Sequence, residues 1–171
     1  VESVCDDRRR RGGRLWVANL NAPGQVVVAG SVEDVEWLQR SAGDLGLRKV
    51  VPLSVAGAFH SPYMASASDS VAEALEQVEI SPARFPVYAN TTASPVGEDV
   101  VASLVSQVVS PVRFSESLEA IAAAGVDTFV HVGPGEVTAG LAKRTLREAT
   151  VLTVSSVDDV GEVSGILGTM P

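Results

Sequence analysis

The hydrophobic pattern of the first third of the chain predicts a small strand-and-helix unit. The runs "RLWVANL" and "QVVVAG" are rich in β-formers, and "NAPG" between them is typical of a tight turn. We therefore predict a hairpin of residues 14–20 and 25–29. Ser31 and Asp34 predict a helix cap, and apolar residues then recur at helical spacing as far as Ala42.

A preceding helix and a following strand complete this unit. "VESVCDDRRRR" predicts a helix that lacks a start signal, and "RKVVPLSV" predicts a strand. The order helix, strand, strand, helix, strand matches a ferredoxin-like split βαβ unit without its first strand. That strand lies inside the sheet, and its absence leaves backbone groups unpaired. We therefore expect the chain to be an excerpt of a longer protein.

Beyond residue 55, predicted helices and strands alternate. Helices are predicted over 61–78, in "EDVVASLVSQVVS", which Pro111 interrupts, in "SESLEAIAAAG", which stops at Gly125, in "PGEVTAGLAKRTL", and in the terminal "VDDVGEVSGIL". Strands are predicted in "RFPVYAN", in "TFVHVG", which we expect to be buried, and in "ATVLTV". This alternation indicates an α/β layer with mostly parallel strands.

Charge, hydropathy and cysteine usage narrow the possible partners. A net charge of -8 argues against a general nucleic-acid binder. No apolar run approaches the ~20 residues that a membrane span needs, so we expect no membrane partner. Cys5 is the one cysteine, which excludes an internal disulfide, and no signal segment is visible. A cytoplasmic location is the simplest expectation.

The residues that could carry chemistry are few. Two distant histidines and one cysteine do not form a metal cluster, and the glycines near residue 135 lack the Lys and Ser/Thr of a phosphate loop. We therefore expect no metal or other cofactor. His131 lies among apolar neighbours and is interpreted as structural. His60 lies on a loop where the two units meet, and its position alone fits a surface role as well as a catalytic one.

Four ordered motifs identify a family resemblance over residues 14–155. The motifs are "NLNAPGQVVVAG", "GAFHSPYM", "SQVVSPVRF" and "VHVGPGEVTAGLAKR". Together they resemble the malonyl-CoA:acyl carrier protein transacylases of fatty acid synthesis and the related acyltransferase domains of polyketide synthases. The resemblance implies the C-terminal part of an α/β-hydrolase-like acyltransferase with an inserted ferredoxin-like small subdomain. Residues 1–54 would form that small subdomain, and residues 55–171 would belong to the large subdomain.

The resemblance also implies roles for individual residues. His60 matches the histidine that removes the proton from the nucleophilic serine, and Gln107 matches the glutamine whose backbone carbonyl orients that histidine. Histidine titrates near neutral pH, which suits proton removal and return. Asn19 and Asn21 match cleft residues on the substrate side, although turn chemistry explains them equally well. Phe59 matches an aromatic residue that accompanies malonyl selection.

The resemblance implies transfer of a malonyl group from malonyl-CoA to the phosphopantetheine thiol of acyl carrier protein through an acyl-serine. The family's serine lies in a G-x-S-x-G elbow, which this sequence lacks, so we expect the chain alone to be inactive. A polyketide synthase domain, a thioester hydrolase of similar fold and a non-catalytic carrier-protein docking module remain open alternatives. An upstream elbow serine with a carboxylate-binding arginine would favour the transacylase.

Acyl carrier proteins are acidic, as is this chain, so docking needs a local basic patch. Arg48 and Lys49 precede the loop that carries His60, and they are the first candidates. Lys143, Arg144 and Arg147 form a second basic group after "GPGE". Ordinary solvated charges are an equally good interpretation of both groups.

Overall fold

A computed structural model describes residues 1–169 as a mixed α/β protein. The helices are α1 (Glu2–Arg10), α2 (Val32–Ser41), α3 (Ala65–Leu75), α4 (Val100–Gln107), α5 (Phe114–Ala123), α6 (Val137–Thr145) and α7 (Asp159–Leu167). The strands are β1 (Leu15–Ala22), β2 (Gln25–Gly30), β3 (Tyr88–Ala89), β4 (Ser94–Pro95), β5 (Thr128–Val132) and β6 (Thr150–Val154). No described helix is both long and apolar enough to cross a bilayer.

The predicted hairpin and its two helices are present. β1 and β2 pair antiparallel, and Gly24, with φ 72°, adopts the left-handed backbone that their turn requires. α1 packs against β1, and α2 packs against β2. A buried cluster of Cys5, Leu15 and Leu38 joins the helices to the sheet. Of the apolar face predicted for α2, Leu38 lies in this core and Val35 packs against it, whereas Val32 is 77% exposed.

Asp34, at the start of α2, joins three parts of this unit. Ser31 accepts a hydrogen bond from the Asp34 N–H and donates to the Asp34 carboxylate at 2.6 Å. The same carboxylate accepts from the Arg14 N–H at 2.6 Å and from Arg8 at 2.5 Å. Burial by itself raises the pKa of Asp34, but the hydrogen bonds from Ser31, Arg14 and Arg8 outweigh burial and leave the pKa lowered.

The prediction of a strand in "RKVVPLSV" is wrong. Residues 48–55 contain no strand, and Val51, Leu53 and Val55 are exposed. An extended segment becomes a strand only when a neighbouring backbone accepts and donates its ladder hydrogen bonds. β1 pairs with β2, and no strand among residues 1–169 forms a ladder with this segment. Its composition is therefore that of a strand, but its partner is lacking.

The second part of the chain contains a parallel strand pair. β5 and β6 pair in parallel from Thr128 opposite Thr150 to Val132 opposite Val154, and α6 connects them. The strand predicted in "RFPVYAN" shrinks to the two residues of β3, which pair antiparallel with β4. β5 is also less buried than predicted, since Val132 is 75% exposed. Strand alternation identifies its two faces but not whether another layer covers them.

The segment after α4 connects the two parts. α4 ends at Gln107, before Pro111, and α5 ends before Gly125, whose φ of 95° stops the helix. Between these helices, Val112 forms a parallel bridge to β1. Its N–H donates to Ala18 and its carbonyl accepts from Leu20, both at 2.8 Å. The backbone that follows Gln107 is therefore attached directly to the hairpin.

Candidate active site

His60 lies on a tight turn immediately before a helical segment. Ser61 accepts a hydrogen bond from the Tyr63 N–H, and Pro62 opens a short 3-10 turn that leads into α3. The backbone of His60 has a φ of 56°, in the left-handed region that non-glycine residues rarely occupy. The side chain is half-buried. The Ser-Pro step thus places His60 where the chain turns into α3.

The structure brings His60 and Gln107 together across 47 residues of sequence. Nδ1 of His60 lies 3.0 Å from the backbone oxygen of Gln107. Because a carbonyl oxygen can only accept, Nδ1 carries the proton, and the neutral ring then presents Nε2 as an acceptor. The Gln107 amide nitrogen lies 3.5 Å from the same Nδ1, too long to compete with the carbonyl. Within residues 1–169, Nε2 has no hydrogen-bond partner.

The partner of His60 is the carboxyl end of a helix. Gln107 is the last residue of α4, so its carbonyl belongs to the final turn, where oxygens have no partner within the helix. The peptide dipoles of α4 place partial negative charge at this end, which favours a proton donor or a cation nearby. The end of α4 can therefore orient the ring as a carboxylate does in a catalytic triad.

His131 has a different environment. Its Nε2 lies 3.1 Å from the Gly133 carbonyl and must donate to it, while Nδ1 accepts from the Thr138 hydroxyl at 2.5 Å. Both ring nitrogens of His131 are therefore occupied. Of the two histidines, only His60 has a ring nitrogen without a partner in the described part of the chain.

The hairpin that carries the two proposed substrate-side asparagines is bridged to the segment that follows Gln107. Asn19 is opposite Val27 on the hairpin and bridges to Val112, while Asn21 lies at an irregularity of β1. Both asparagines are half-buried, and neither forms a described hydrogen bond to His60. Phe59, next to His60, is 45% exposed.

The basic residues predicted for docking are exposed on two separate segments. Arg48 and Lys49 lie after α2 and take part in no ion pair among residues 1–169. In the second group, Lys143 and Arg147 are exposed, and Arg144 contacts the Gln25 side chain at 3.3 Å. Both groups are therefore exposed to solvent, and they lie on different segments of the chain.

An aromatic contact that the sequence analysis missed attaches the His60 turn to the hairpin. The rings of Trp16 and Tyr63 meet edge to face, with centroids 5.6 Å apart. Tyr63 is also the largest cause of the raised pKa of the Arg14 guanidinium. No local signal pairs these residues, because they lie on different elements. In the described residues, no group of three or more His, Cys, Asp or Glu side chains could hold a metal ion.

Comparison with known proteins adds independent evidence. The family model described as "Acyl transferase domain" matches residues 3–170. The chain is 36% identical, over 162 residues, to the malonyl CoA-acyl carrier protein transacylase of Bacillus subtilis, covering 94% of this chain and 51% of the relative. The chain thus spans about half the length of the curated relatives that it matches.

Solved structures show the same similarity. An acyl-carrier-protein-S-malonyltransferase from Bartonella henselae matches with a TM-score of 0.90 and 33% identity, over 98% of this chain and 54% of that one. A malonyl-transacylase solved in complex with its type II PKS acyl-carrier protein matches with a TM-score of 0.88 and 30% identity, over 98% of this chain and 54% of that one. The sequence motifs, the fold and these matches agree, and the chain belongs to the acyl transferase domain family.

Proposed function

We propose that this chain supplies the histidine half of a malonyl-CoA:acyl carrier protein transacylase site. The observation that carries the proposal is the contact between His60 Nδ1 and the Gln107 carbonyl, which leaves Nε2 as the free acceptor. An imidazole held in this way is prepared to remove a proton and later return it.

The proposed reaction has two transfers. A serine hydroxyl from outside these 171 residues attacks the malonyl thioester carbonyl while His60 Nε2 takes the hydroxyl proton. The C–S bond breaks, CoA leaves as a thiol with that proton, and malonyl-serine remains. In the second transfer, Nε2 takes the proton of the phosphopantetheine thiol, the thiolate attacks the ester, and the serine recovers the proton. Asn19, Asn21 and Phe59 line the substrate side.

We further propose that residues 1–54 form a ferredoxin-like small subdomain and that residues 55–171 belong to an α/β-hydrolase-like large subdomain. The hairpin with α1 and α2 on its strands supports the first assignment. The parallel pair of β5 and β6 supports the second, because parallel strands occur mainly in larger sheets that are covered on both faces. The exposed Val132 fits such a larger sheet.

The biological setting is part of the same proposal. A fatty acid synthesis enzyme fits the names of the curated relatives, and a polyketide carrier protein is the second candidate partner, because one similar structure contains such a pair. The buried, unpaired Cys5 fits a reducing cytoplasm. An elbow serine without a carboxylate-binding arginine would favour a hydrolase or another acyl group, and the lack of an elbow serine would favour a docking module.

The proposal is tested by replacing His60 in the complete polypeptide that carries the nucleophile. His60→Ala should lower malonyl transfer at least ~10²-fold, because the general base is lost. His131→Ala is the matched control and should leave the rate close to that of the wild type. Both variants are checked for folding by circular dichroism. Wild-type turnover in folded His60→Ala would remove His60 from the mechanism.

A further inference from the structure

The backbone strain at His60 needs a structural cause. A non-glycine residue with a φ of 56° is held in a sparsely populated conformation. Such a conformation persists only where neighbouring contacts enforce it. The residues that enforce it also decide where the imidazole ring lies.

Ser61 is the first of these residues. It is fully buried, and its hydroxyl donates to the Ala58 carbonyl at 2.5 Å while accepting from the Tyr63 N–H at 3.3 Å. The bond to Ala58 closes a loop of backbone around Phe59 and His60. One hydroxyl therefore holds the chain on both sides of the strained residue.

Ser68, on α3, holds the helix end that carries Gln107, the acceptor of the His60 hydrogen bond. It is 8% exposed, and its hydroxyl donates to the Val105 carbonyl at 3.0 Å. Val105 lies in the last turn of α4, and Gln107, whose carbonyl accepts the hydrogen bond from His60, belongs to the same turn. The bond from Ser68 thus attaches the end of α4 to α3, the helix that follows the His60 turn.

We propose that Ser61 and Ser68 are positioning residues that together hold the His60 ring on the Gln107 carbonyl. The inference rests on the proposed function, since it assigns these serines to the same site. Ser61 sets the backbone that carries the ring, and Ser68 sets the helix end that receives it. Alanine at position 61 removes the donor to the Ala58 carbonyl, and alanine at position 68 removes the bond from α3 to the Val105 carbonyl, which then keeps only the Val108 N–H at 3.3 Å. Either loss allows the turn or the helix end to move.

The primary test measures the His60 tautomer by nitrogen NMR on the complete polypeptide that carries the nucleophile, with labelled histidine. In the wild type, neutral His60 should show the Nδ1–H tautomer. Ser61→Ala and Ser68→Ala should each shift the population toward Nε2–H. Ser68→Thr, which keeps the hydroxyl, should restore the wild-type signature. Ser70→Ala is the matched control, because the Ser70 hydroxyl bonds only within α3 and is exposed.

A second measurement uses the complete polypeptide. Both alanine variants should lower kcat roughly tenfold to a hundredfold with little change in KM, because a misplaced base affects the transition state more than binding. Unchanged tautomer and kcat in both variants would overturn the inference, as would a lower free energy of unfolding with neither readout altered. If Ser61→Ala does not fold, Ser68→Ala decides. Full activity in His60→Ala would overturn the proposed function, while the tautomer measurement would still decide the positioning role.

Discussion

In their neutral forms, His60 and His131 carry the ring proton on different nitrogens, because a different ring nitrogen faces a backbone carbonyl in each. Gln107 accepts from Nδ1 of His60, whereas Gly133 accepts from Nε2 of His131. Thr138 then occupies the remaining nitrogen of His131. At the scale of single residues, the difference between a structural histidine and a candidate base is therefore one hydrogen bond.

Phe59 offers a prediction about acyl selection at this scale. In the complete enzyme, Phe59→Ser should raise the methylmalonyl-to-malonyl ratio of kcat/KM by up to roughly tenfold to a hundredfold, because removing the ring makes space for one methyl branch. The ratio is measured with the two CoA thioesters in competition. Phe85→Ser, at an exposed phenylalanine outside the proposed site, is the control. A flat ratio in Phe59→Ser would place selectivity elsewhere.

Asp34 offers a prediction about stability. Asp34→Asn should lower the free energy of unfolding of the chain by about 2 kcal/mol at pH 7, because hydrogen bonds to a charged carboxylate are lost. The pKa of Asp34 is lowered by folding, so its contribution is complete above the unfolded value and disappears as pH falls through the folded one. In urea titrations, the difference from wild type should persist to about pH 5 and shrink below about pH 4.

The neighbouring Glu33 supplies the control for this prediction. Glu33 is exposed and adjacent to the same carboxylate in sequence, so Glu33→Gln should change stability by less than about 0.5 kcal/mol at either pH. A pH-independent loss in Asp34→Asn would show that packing, not the charge of Asp34, is responsible.

At the scale of elements, the end of α4 is the feature on which the site depends. The helix places one backbone carbonyl against His60, and the Ser68 bond attaches that end to α3. α4 is short, so its stability depends strongly on its caps and on its packing against α3. Substitutions in the first turn of α4 should therefore also lower the stability of its last turn, which carries Gln107.

The cap of α4 provides the corresponding prediction. Asp99 accepts a hydrogen bond from the Ala102 N–H at 2.8 Å, so Asp99→Ala should cost ~1 kcal/mol in urea denaturation. Asp99→Ser, which keeps a capping oxygen, should recover most of this loss. Glu98→Ala, at the exposed preceding residue, is the control. Equal losses in Asp99→Ala and Asp99→Ser would contradict a capping role.

At the scale of the whole molecule, the two parts of the chain meet where Val112 bridges to β1. The same connection places the hairpin with its asparagines next to the segment that follows Gln107. One basic group follows α2, and the other lies on α6 and its following turn. The net charge of -8 does not reveal these two basic groups, so docking to an acidic partner depends on the local electrostatic potential around each group.

Charge reversal tests which basic group meets an acidic carrier protein. In the complete enzyme, Arg48→Glu with Lys49→Glu should weaken transfer to the carrier protein, most strongly at low salt, where surface charges are least screened. Self-acylation by malonyl-CoA should change much less, because the carrier protein takes no part in that half-reaction. Lys143→Glu with Arg147→Glu is the parallel variant. Equal losses in both half-reactions would contradict a docking role for Arg48 and Lys49.

The sequence alone predicted the features that depend on neighbouring residues. The β1–β2 hairpin follows from its turn composition, α2 from its Ser31 cap, and the end of α5 from Gly125. The family followed from four motifs and agrees with the matched family model. These predictions succeeded because turns, caps and periodicity are local properties of the chain.

Only the tertiary structure decided which distant backbones meet. Residues 48–55 have the composition of a strand but no strand partner among the described residues, and β5 is exposed where the pattern predicted burial. The resemblance named His60 and Gln107, but their 3.0 Å contact depends on how α3 packs against α4. Hydrogen bonds between distant segments require both partners in place at once, and spacing along one chain does not encode that geometry.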